Sequence, residues 1–468
     1  MKITFFGAAQ NVTGSKHLLE VGNYKLLLDC GLYQGKRKTA NELNQNLPFL
    51  AKEIDAVILS HAHLDHCGTL PVLAKNGFTG LIYCTAETAE ITQFILEDSA
   101  GLQEQDADYL NNHLLKGQSA ITPIYTRENV AQIISQFEKI QYFNKSQKWT
   151  VLNESIRFKF YDAGHVLGSA MILLEVKEGT ETKTLVFSGD LGREFLPILK
   201  SPETITENID SLLLECTYGD RLHKPIENLQ EKLVEIINNA IVNKSKIIVP
   251  AFSLERTQEI IYILHKLCDE KLIPVLPIYI DSPLANKITQ VFLNHTENFD
   301  NEFWQDFGNK KESAFSAANI IYTQSTDASK AINDTSGPCI IIAGSGMCEG
   351  GRILHHLKNN ISNSNNVILI TGYQAENTLG RKILEGAEYV KIYDQLFAVK
   401  AKVFTLNELS AHADQNDLLK FVGKALNLKN LFLVHGEIKQ LEAFKSLVNE
   451  KFPNINIKTP VMGELFEI

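Results

Sequence analysis

The chain has 468 residues, of which 44% are hydrophobic and 21% charged, and its formal net charge at pH 7 is -10. A chain of this length is expected to form two or three domains with sizeable cores, and its composition is that of a globular protein. It contains no run of roughly eighteen apolar residues, which excludes a membrane-spanning segment. The acidic balance argues against coating of nucleic acid by bulk electrostatics, although a local basic cleft is still allowed.

The N-terminal residues and the cysteines indicate in which cellular compartment the protein is expected. The first seven residues enter a strand at once, without the charged region, apolar stretch and small-residue cleavage site of a signal peptide. The seven cysteines are scattered and include no Cys-x-x-Cys pair, which predicts free thiols in a reducing compartment. We therefore expect a cytoplasmic protein.

Residues 1 to 217 are predicted to be rich in strands, with helices between two groups of them. The strands are expected at 2–8, 17–21, 24–29, 55–60, 81–84, 155–161, 169–176, 184–188 and 211–215. Apolar residues at spacings of three and four predict helices over 86–115 and 126–142. Two β-rich halves separated by helices indicate a sandwich of two sheets covered by helices.

From about residue 218 to 400 the pattern changes to an alternation of strands and helices. Helices are expected at 226–243 and 254–271, and strands at 246–250, 277–281, 339–343 and 367–371. This alternation is typical of a parallel, doubly wound sheet. The boundary is inferred from the change in pattern, because no Pro/Ser-rich linker marks it.

The remainder is predicted to contain a strand at 402–406, a helix at 414–426, a strand at 430–434, a helix at 437–450 and a closing strand pair. This segment is short for an independent domain. We therefore expect residues 1–217 and 401–468 to form one domain, with 218–400 inserted into it.

The stretch from Ser60 to His66 holds three imidazoles and one carboxylate within seven residues, directly after a predicted buried strand. This density indicates a metal site rather than ordinary surface histidines. If His61 and His63 lie on one side of an extended turn, both can reach the same ion, while Asp65 and His66 face a second one. One loop could thus serve two metals.

Four further residues lie near strand ends, where a rigid backbone suits a ligand. They are His165, Asp190, His412 and His435. Each alone could equally be structural, for instance by closing a loop through a hydrogen bond. Glycines flank His165 and Asp190, and a carboxylate such as Asp190 can bridge two metals. Their joint occurrence favours a single two-metal centre.

The chain resembles a metallo-β-lactamase-fold hydrolase of the β-CASP branch, the nuclease family that includes the endonuclease subunit of the mRNA 3′-end cleavage machinery. The resemblance runs almost from end to end. The fold family's four motifs are matched in order by Asp29, by the stretch from His61 to His66, by His165 and by Asp190. The resemblance implies an α/β fold: an αββα sandwich with an inserted doubly wound β-CASP domain.

Three motifs specific to the branch are matched by Glu215, His412 and His435. Members that act on RNA resemble this chain in carrying histidine at the third position, whereas DNA-repair members usually carry an aliphatic residue there. His435 therefore favours RNA as the substrate. By resemblance the chain binds two Zn²⁺: His61, His63 and His165 would hold one, Asp65, His66 and His435 the other, with Asp190 bridging and Asp29 orienting ligand histidines.

The implied chemistry is hydrolysis of RNA by a hydroxide that two metals activate, leaving 5′-phosphate and 3′-hydroxyl ends. The departing 3′ oxygen needs a proton, and His412 is suited to be the general acid. Glu215 would hydrogen-bond His412 and keep it protonated. The balance between endonucleolytic and 5′-exonucleolytic attack is left open.

A glycine-rich stretch after the predicted strand 339–343 could bind phosphate through its backbone amides. The candidate substrate-binding residues are Gly344, Ser345, Gly346, Arg352 and Arg381. The stretch could equally be a plain glycine-rich turn, and the arginines could be solvated surface charges. Targeting of RNA is expected to come from the cleft, from a homodimer or from a partner, and no membrane partner is expected.

Two alternatives belong to other classes. A thioesterase or lactamase on the same fold would lack Glu215, His412 and the large insertion. An RNA-binding scaffold without activity would have lost metal ligands, whereas this chain keeps every one. The sequence therefore favours an active endoribonuclease.

Overall fold

The computed structural model describes residues 1–35, 37–113, 120–223, 227–308, 313–375 and 377–468. The described residues divide into two compact units. The first comprises Met1–Phe195, Ser201–Leu222 and Ala411–Ile468, and the second Leu196–Lys200 and His223–Ser410. The sequence predicted an insertion from 218 to 400. The long segment of the second unit begins five residues later, at His223, and ends ten residues later, at Ser410.

The first unit contains fourteen strands in two seven-stranded sheets. The first sheet has the order β22-β1-β2-β3-β4-β5-β6 and the second β21-β20-β11-β10-β9-β8-β7. The strands are β1 (Lys2–Phe5), β2 (His17–Val21), β3 (Tyr24–Leu28), β4 (Ala56–Ile58), β5 (Leu81–Cys84), β6 (Phe137–Lys139), β7 (Thr150–Val151), β8 (Ile156–Asp162), β9 (Ala170–Glu178), β10 (Glu181–Phe187), β11 (Ser211–Glu215), β20 (Asn430–Val434), β21 (Asn456–Lys458) and β22 (Glu464–Glu467).

Alternation along the strands builds the layers of this unit. In β3, Leu26 and Leu28 point into the core between the two sheets, whereas Leu27 packs with the helices outside the first sheet. In β20, Phe432 and Val434 enter the same central core, and Leu431 packs in the layer outside the second sheet. Because successive side chains alternate between faces, each sheet can bury both faces. The predicted helix-covered sandwich is confirmed.

The helices of the first unit include one long helix, α4, which begins at the Thr85 cap. They are α1 (Arg37–Gln45), α2 (Leu64–Cys67), α3 (Leu70–Lys75), α4 (Ala86–Asn112), α5 (Arg127–Ile134), α6 (Phe143–Ser146), α14 (Gln415–Lys424) and α15 (Ile438–Lys451). The expected end of α4 at residues 114 and 115 lies outside the described residues.

The second unit contains a six-stranded sheet of order β14-β13-β15-β12-β16-β19, in which every neighbouring pair is parallel. The chain enters at β12 and later strands lie on both sides of it, as in the predicted doubly wound sheet. The strands, including a separate hairpin of β17 and β18, are β12 (Lys246–Pro250), β13 (Ile278–Ile280), β14 (Ile320–Tyr322), β15 (Cys339–Ala343), β16 (Val367–Ile370), β17 (Tyr389–Ile392), β18 (Gln395–Ala398) and β19 (Lys402–Thr405).

Strands β15 and β16 are buried at every residue, which explains their unbroken apolar runs. The helices are α7 (Glu227–Val242), α8 (Arg256–Asp269), α9 (Pro283–Asn294), α10 (Asn301–Phe307), α11 (Thr326–Ala331), α12 (Ile353–Asn360) and α13 (Leu379–Leu384). Residue 226, the expected start of α7, lies outside the described residues. No helix in the described part of the chain is both long and apolar enough to cross a membrane.

Three local predictions were wrong. The helix expected over 126–142 ends at Ile134, and residues 137–139 form the edge strand β6 beside β5. The strand expected at 402–406 pairs with β16 and therefore belongs to the second unit. The closing strands are not a pair, because β21 joins β20 in one sheet and β22 joins β1 in the other. In each case long-range pairing decided what local pattern could not.

Gly31 packs where no side chain fits. A Cβ atom at this position would overlap the carbonyl group of Asp65, at the start of α2. We predict that Gly31→Ala displaces this backbone and lowers the midpoint of thermal unfolding by about 2 °C or more, since overpacking typically costs about 1–3 kcal/mol.

Gly423→Ala is the matched control. Gly423 lies in α14, where the nearest atom to an added Cβ is the ring tip of Phe452 at 3.3 Å. Alanine favours a helix over glycine by about 1 kcal/mol, so little or no loss is expected. Equal midpoints for Gly31→Ala and the unmodified chain would show that the Asp65 backbone moves freely.

Candidate metal centre

Three parallel strands of the second sheet gather the acidic and basic residues at one edge. β10 pairs with β11 and β11 with β20, and the register places Glu215 opposite Val434. Asp190 follows β10, Glu215 ends β11, and His435 follows β20. The carboxyl ends of parallel strands meet at the same edge of a sheet, so residues far apart in sequence become neighbours there.

The turn between β8 and β9 reaches this edge as well, because Asp162 pairs with Ala170 across it. That turn carries His165. On the first sheet, Asp29 follows β3 and its amide donates to Ile58, the last residue of β4. The loop after β4 then leads directly through His61 and His63 into the short helix α2.

One cluster contains His61, His63, His165 and Asp190. The Nδ1 atom of His63 lies 3.1 Å from His61 Nε2 and 3.3 Å from His165 Nε2. Asp190 Oδ2 lies 3.5 Å from His61 Nε2 and 3.6 Å from His165 Nε2. Four ligands at ordinary zinc distances around a tetrahedron are separated by about 3.3–3.4 Å. The spacing therefore fits one tetrahedral cation.

The second cluster contains Asp65, His66 and His435. The Nε2 atoms of the two histidines are 3.2 Å apart, and His435 Nε2 lies 3.6 Å from Asp65 Oδ2. His66 Nε2 is also 3.2 Å from Asp190 Oδ1, while Asp190 Oδ2 faces the first cluster. The two oxygens of Asp190 thus serve different clusters, as a bridging carboxylate does.

The charges of these groups also suit divalent cations. Burial lowers the pKa of His61 and His165 well below the ordinary value and that of His63 to about 4, so these imidazoles are neutral. Neutral imidazole is the form that binds a metal. Burial alone would raise the pKa of Asp190, but surrounding histidines, first of all His435, hold it well below its usual range.

The pKa of His66 shows that the carboxylates around it favour a positive charge at this position. Burial disfavours its protonation, yet the carboxylates of Asp190 and Asp29 raise its pKa well above the ordinary value. Buried carboxylates are costly unless a cation compensates them. A divalent cation would provide that charge, and His66 would then bind it as the neutral imidazole. The donor set therefore fits metal binding.

Asp29 organises the ligands from behind. Its Oδ2 accepts hydrogen bonds from His66 Nδ1 at 2.7 Å and from Ser60 Oγ at 2.9 Å. Ser60 Oγ lies 3.0 Å from His61 Nδ1. Since Ser60 donates its hydrogen to Asp29, its oxygen accepts from His61. In the neutral form of each imidazole the hydrogen is therefore on Nδ1, and the Nε2 lone pair is directed at the clusters, which is the usual effect of such partners.

Glu215 and His412 form a pair beside the metal ligands. His412 Nδ1 lies 3.0 Å from Glu215 Oε1, which also accepts from the amide of Leu191 at 2.8 Å. Glu215 is fully buried, whereas the His412 side chain is 21% exposed. Burial alone would lower the pKa of His412, but Glu215 and then Asp190 raise it to about 9. His412 is therefore protonated at neutral pH.

The glycine stretch lies in the second unit, at the carboxyl end of β15. The hydroxyl of Ser345 accepts from the amides of Glu349 and Gly350, at 3.1 and 3.3 Å. Arg352 donates to Asp281 at 2.7 Å and to the Gln324 carbonyl at 2.8 Å. Two of the amides are therefore bonded inside the loop, and the guanidinium is bonded to residues that follow β13 and β14.

Arg381 is engaged with its own helix. Its Nε donates to Glu385 at 2.6 Å, and the pair lies one helical turn apart on the surface. This geometry differs from that of Arg352, whose partner Asp281 is fully buried. Arg381 is thus the more accessible of the two predicted cations.

The sequence interpretation missed the contribution of Ser60. This residue immediately precedes His61 and follows a buried strand, so a hydroxyl at that position was the available signal. Its pairing with Asp29 could not be predicted because it depends on the parallel pairing of β3 and β4. Cys67, which directly follows His66, is buried and donates to the Ala62 carbonyl.

Three family models match successive parts of the chain. A metallo-beta-lactamase superfamily domain matches residues 18–190, a Beta-Casp domain residues 257–383, and a Zn-dependent metallo-hydrolase RNA specificity domain residues 397–460. A solved structure of a protein of unknown function from Enterococcus faecalis covers 99% of both chains, with a TM-score of 0.54 and 14% identity, and is thus similar in fold alone.

The relatives match almost all of this chain. Ribonuclease TTHA0252 of Thermus thermophilus is 36% identical, over 96% of this chain and 96% of its own. The RNase J-like protein of Methanocaldococcus jannaschii is 31% identical, over 100% of this chain and 99% of its own. Endoribonuclease YSH1 of Eremothecium gossypii is 27% identical, over 96% of this chain and 56% of its own. Fold, ligand clusters and relatives agree: the chain belongs to the β-CASP family of metallo-β-lactamase-fold hydrolases.

Proposed function

We propose that this protein is a zinc-dependent endoribonuclease that hydrolyses RNA phosphodiester bonds to leave 5′-phosphate and 3′-hydroxyl ends. The carrying observation is the Glu215–His412 pair, at 3.0 Å, directly beside the two ligand clusters. Metal ligands alone suit many hydrolases, whereas a protonated imidazole beside them suits a leaving group that needs a proton. The names of the relatives, two of them ribonucleases and one an endoribonuclease, support RNA as the substrate.

In this proposal two Zn²⁺ ions occupy the clusters. Imidazole nitrogens and carboxylate oxygens are the ligands that zinc accepts at such sites. When bound, the ions would polarise phosphoryl oxygens and promote the ionisation of water near neutral pH. His61, His63 and His165 would hold one ion, Asp65, His66 and His435 the other, with Asp190 between them.

The chain's own residues supply the proton. Because His412 donates its Nδ1 hydrogen to Glu215, its transferable proton is on Nε2. Glu215 accepts the Leu191 amide with the same oxygen, which holds the acid beside the loop that carries Asp190. Glu215 thus acts by orienting His412 and stabilising its charge.

We further propose that the glycine loop of the second unit contacts RNA. The backbone of Gly344, Ser345 and Gly346 would approach a phosphate, with Arg381 supplying charge. Arg352 would act through the loop, since Asp281 and Gln324 hold its guanidinium. The seven cysteines are all free thiols, which supports a cytoplasmic location.

End-labelled and circular RNAs test the function directly. The metal-loaded protein is expected to cut both, because a circle has no end at which an exonuclease could begin. Cleavage of linear RNA alone would establish 5′-exonucleolytic attack instead. Failure to cut either substrate with bound zinc would contradict the proposed ribonuclease.

His412→Ala tests the general acid. We predict that it keeps two zinc equivalents and loses about 10²–10⁴-fold in the rate of RNA cleavage, the usual contribution of a positioned acid. Hydrolysis of bis(p-nitrophenyl) phosphate should fall far less, because p-nitrophenolate leaves without a proton. His113→Ala, in an exposed turn after α4, is the matched control. Equal losses on both substrates would assign His412 another role.

Asp190→Asn tests the bridge. An amide lacks the charge that the clusters share, so the variant should retain fewer than two zinc equivalents after dialysis, by elemental analysis. Asp106→Asn, on the exposed face of α4, is the control and should retain both. Undiminished zinc in Asp190→Asn would contradict the bridging role.

A further inference from the structure

Thr217 contacts the metal ligand His435 twice. Its hydroxyl oxygen lies 3.0 Å from His435 Nδ1 and 3.1 Å from the carbonyl oxygen of the same residue. Thr217 follows Glu215 by two residues at the end of β11, beside the end of β20. Neither the sequence motifs nor the proposed mechanism gives this threonine a role.

The two contacts determine where the hydrogens lie. A carbonyl oxygen can only accept, so the hydroxyl hydrogen of Thr217 points to the His435 carbonyl. The hydroxyl oxygen is then left to accept, and His435 must donate from Nδ1. This arrangement leaves Nε2 without a hydrogen. Nε2 is the atom that lies 3.2 Å from His66 Nε2 and 3.6 Å from Asp65 Oδ2.

The other nearby acceptor is a poorer partner. Asp190 Oδ1 lies 3.6 Å from His435 Nδ1, longer than an ordinary hydrogen bond. Without Thr217, the imidazole could turn its Nδ1 hydrogen to Asp190. It could equally adopt the other tautomer, which places hydrogen on Nε2. The first change would turn the Nε2 lone pair away from the second cluster, and the second change would replace that lone pair with a hydrogen.

The Thr217 hydroxyl also bonds to the backbone of His435, at its carbonyl oxygen. His435 has a φ of 50°, a left-handed conformation that is uncommon for residues other than glycine. Its amide donates to the Ala8 carbonyl at 2.7 Å, while its carbonyl receives the Cys216 amide only at 3.4 Å. The Thr217 hydroxyl is thus the shorter of these two bonds to that carbonyl.

The same device recurs at two other ligands. The Nδ1 atom of His61 faces Ser60 Oγ at 3.0 Å, and that of His66 faces Asp29 Oδ2 at 2.7 Å. His61, His66 and His435 thus each direct Nδ1 to a protein oxygen and Nε2 to the clusters. Asp29 and Ser60 serve the ligands from the first sheet, and Thr217 occupies the corresponding position on the second.

We propose that Thr217 is a positioning residue that fixes the tautomer and orientation of His435 and thereby sustains binding of the second metal ion. The inference rests on the proposed two-metal site. Partners of ligand histidines typically contribute about 10- to 100-fold to metal affinity. Thr217 also contacts the residue that orients the proposed general acid, because its amide donates to Glu215 Oε2 at 3.2 Å.

Titration of the metal-free protein with Zn²⁺ against a competing chelator tests this inference without RNA. Thr217→Val keeps the size of the side chain and removes the hydroxyl. We expect it to weaken the second zinc equivalent by about 10- to 100-fold and to leave the first within about threefold. Thr217→Ser restores the hydroxyl and should restore the second equivalent.

Thr182→Val is the matched control, because Thr182 is exposed on β10. It should bind both equivalents as the unmodified chain does. The thermal midpoint of each metal-free variant is measured alongside, and a purely structural role of Thr217 would lower that midpoint and weaken both equivalents together. If Thr217→Val does not fold, Thr217→Ala is titrated in its place with the same expectation.

Three results would overturn the inference. They are two equivalents bound normally by Thr217→Val, equal weakening of both, and no rescue by serine. An unmodified chain that binds a single equivalent would overturn it as well. A failure of the proposed ribonuclease would be seen separately, as unmodified protein that binds two zinc ions and cuts no RNA.

Discussion

Asp190 is an ionised carboxylate that is 98% inaccessible to water, and five imidazoles lie within 4.0 Å of it. A buried charge of this kind is costly unless other groups compensate it. The structure meets this constraint with histidines on the loops, the turn and the short helix that follow the strands of both sheets. The arrangement is suited to cations placed on both sides of the carboxylate.

The second sheet brings these charged groups together because its parallel strands β10, β11 and β20 end at the same edge. Glu215, Asp190 and His435 come from three neighbouring strands whose carboxyl ends share an edge. Positions at strand ends are rigid, since the ladder holds the backbone up to the last residue. In the first cluster, the candidate ligand atoms lie at a spacing that fits a tetrahedral cation.

A second group of residues determines the hydrogen positions. Asp29, Ser60 and Thr217 each receive an Nδ1 hydrogen, directly or through a hydroxyl, and leave Nε2 for the clusters. Glu215 likewise accepts the Nδ1 hydrogen of His412, and its charge favours the protonated imidazole there. The oxygen behind each imidazole thus determines which nitrogen carries the hydrogen and how strongly the ring holds its proton.

Much of the site was predictable because its residues occur in short local motifs. The stretch from Ser60 to His66, the strand-end positions of His165 and Asp190, and the strand-to-helix rhythm of the second unit are all visible in sequence. The wrong predictions concern strands at the edges of sheets. β6 was taken for helix and β19 was placed in the wrong unit, because the pairing partner of an edge strand is not encoded in its own pattern.

The amino-acid order specifies which chemical groups the protein has and predicts the type of each large element, because periodicity and composition act locally. Which of these groups meet became visible in the folded protein alone. It brought His435 and Thr217 together across 218 residues, and it shared the oxygens of Asp190 between two clusters. It also showed that Arg352 is bound to Asp281, which lies just after β13. The physical reason is that strand register and convergence are set by long-range pairing, which no local pattern specifies.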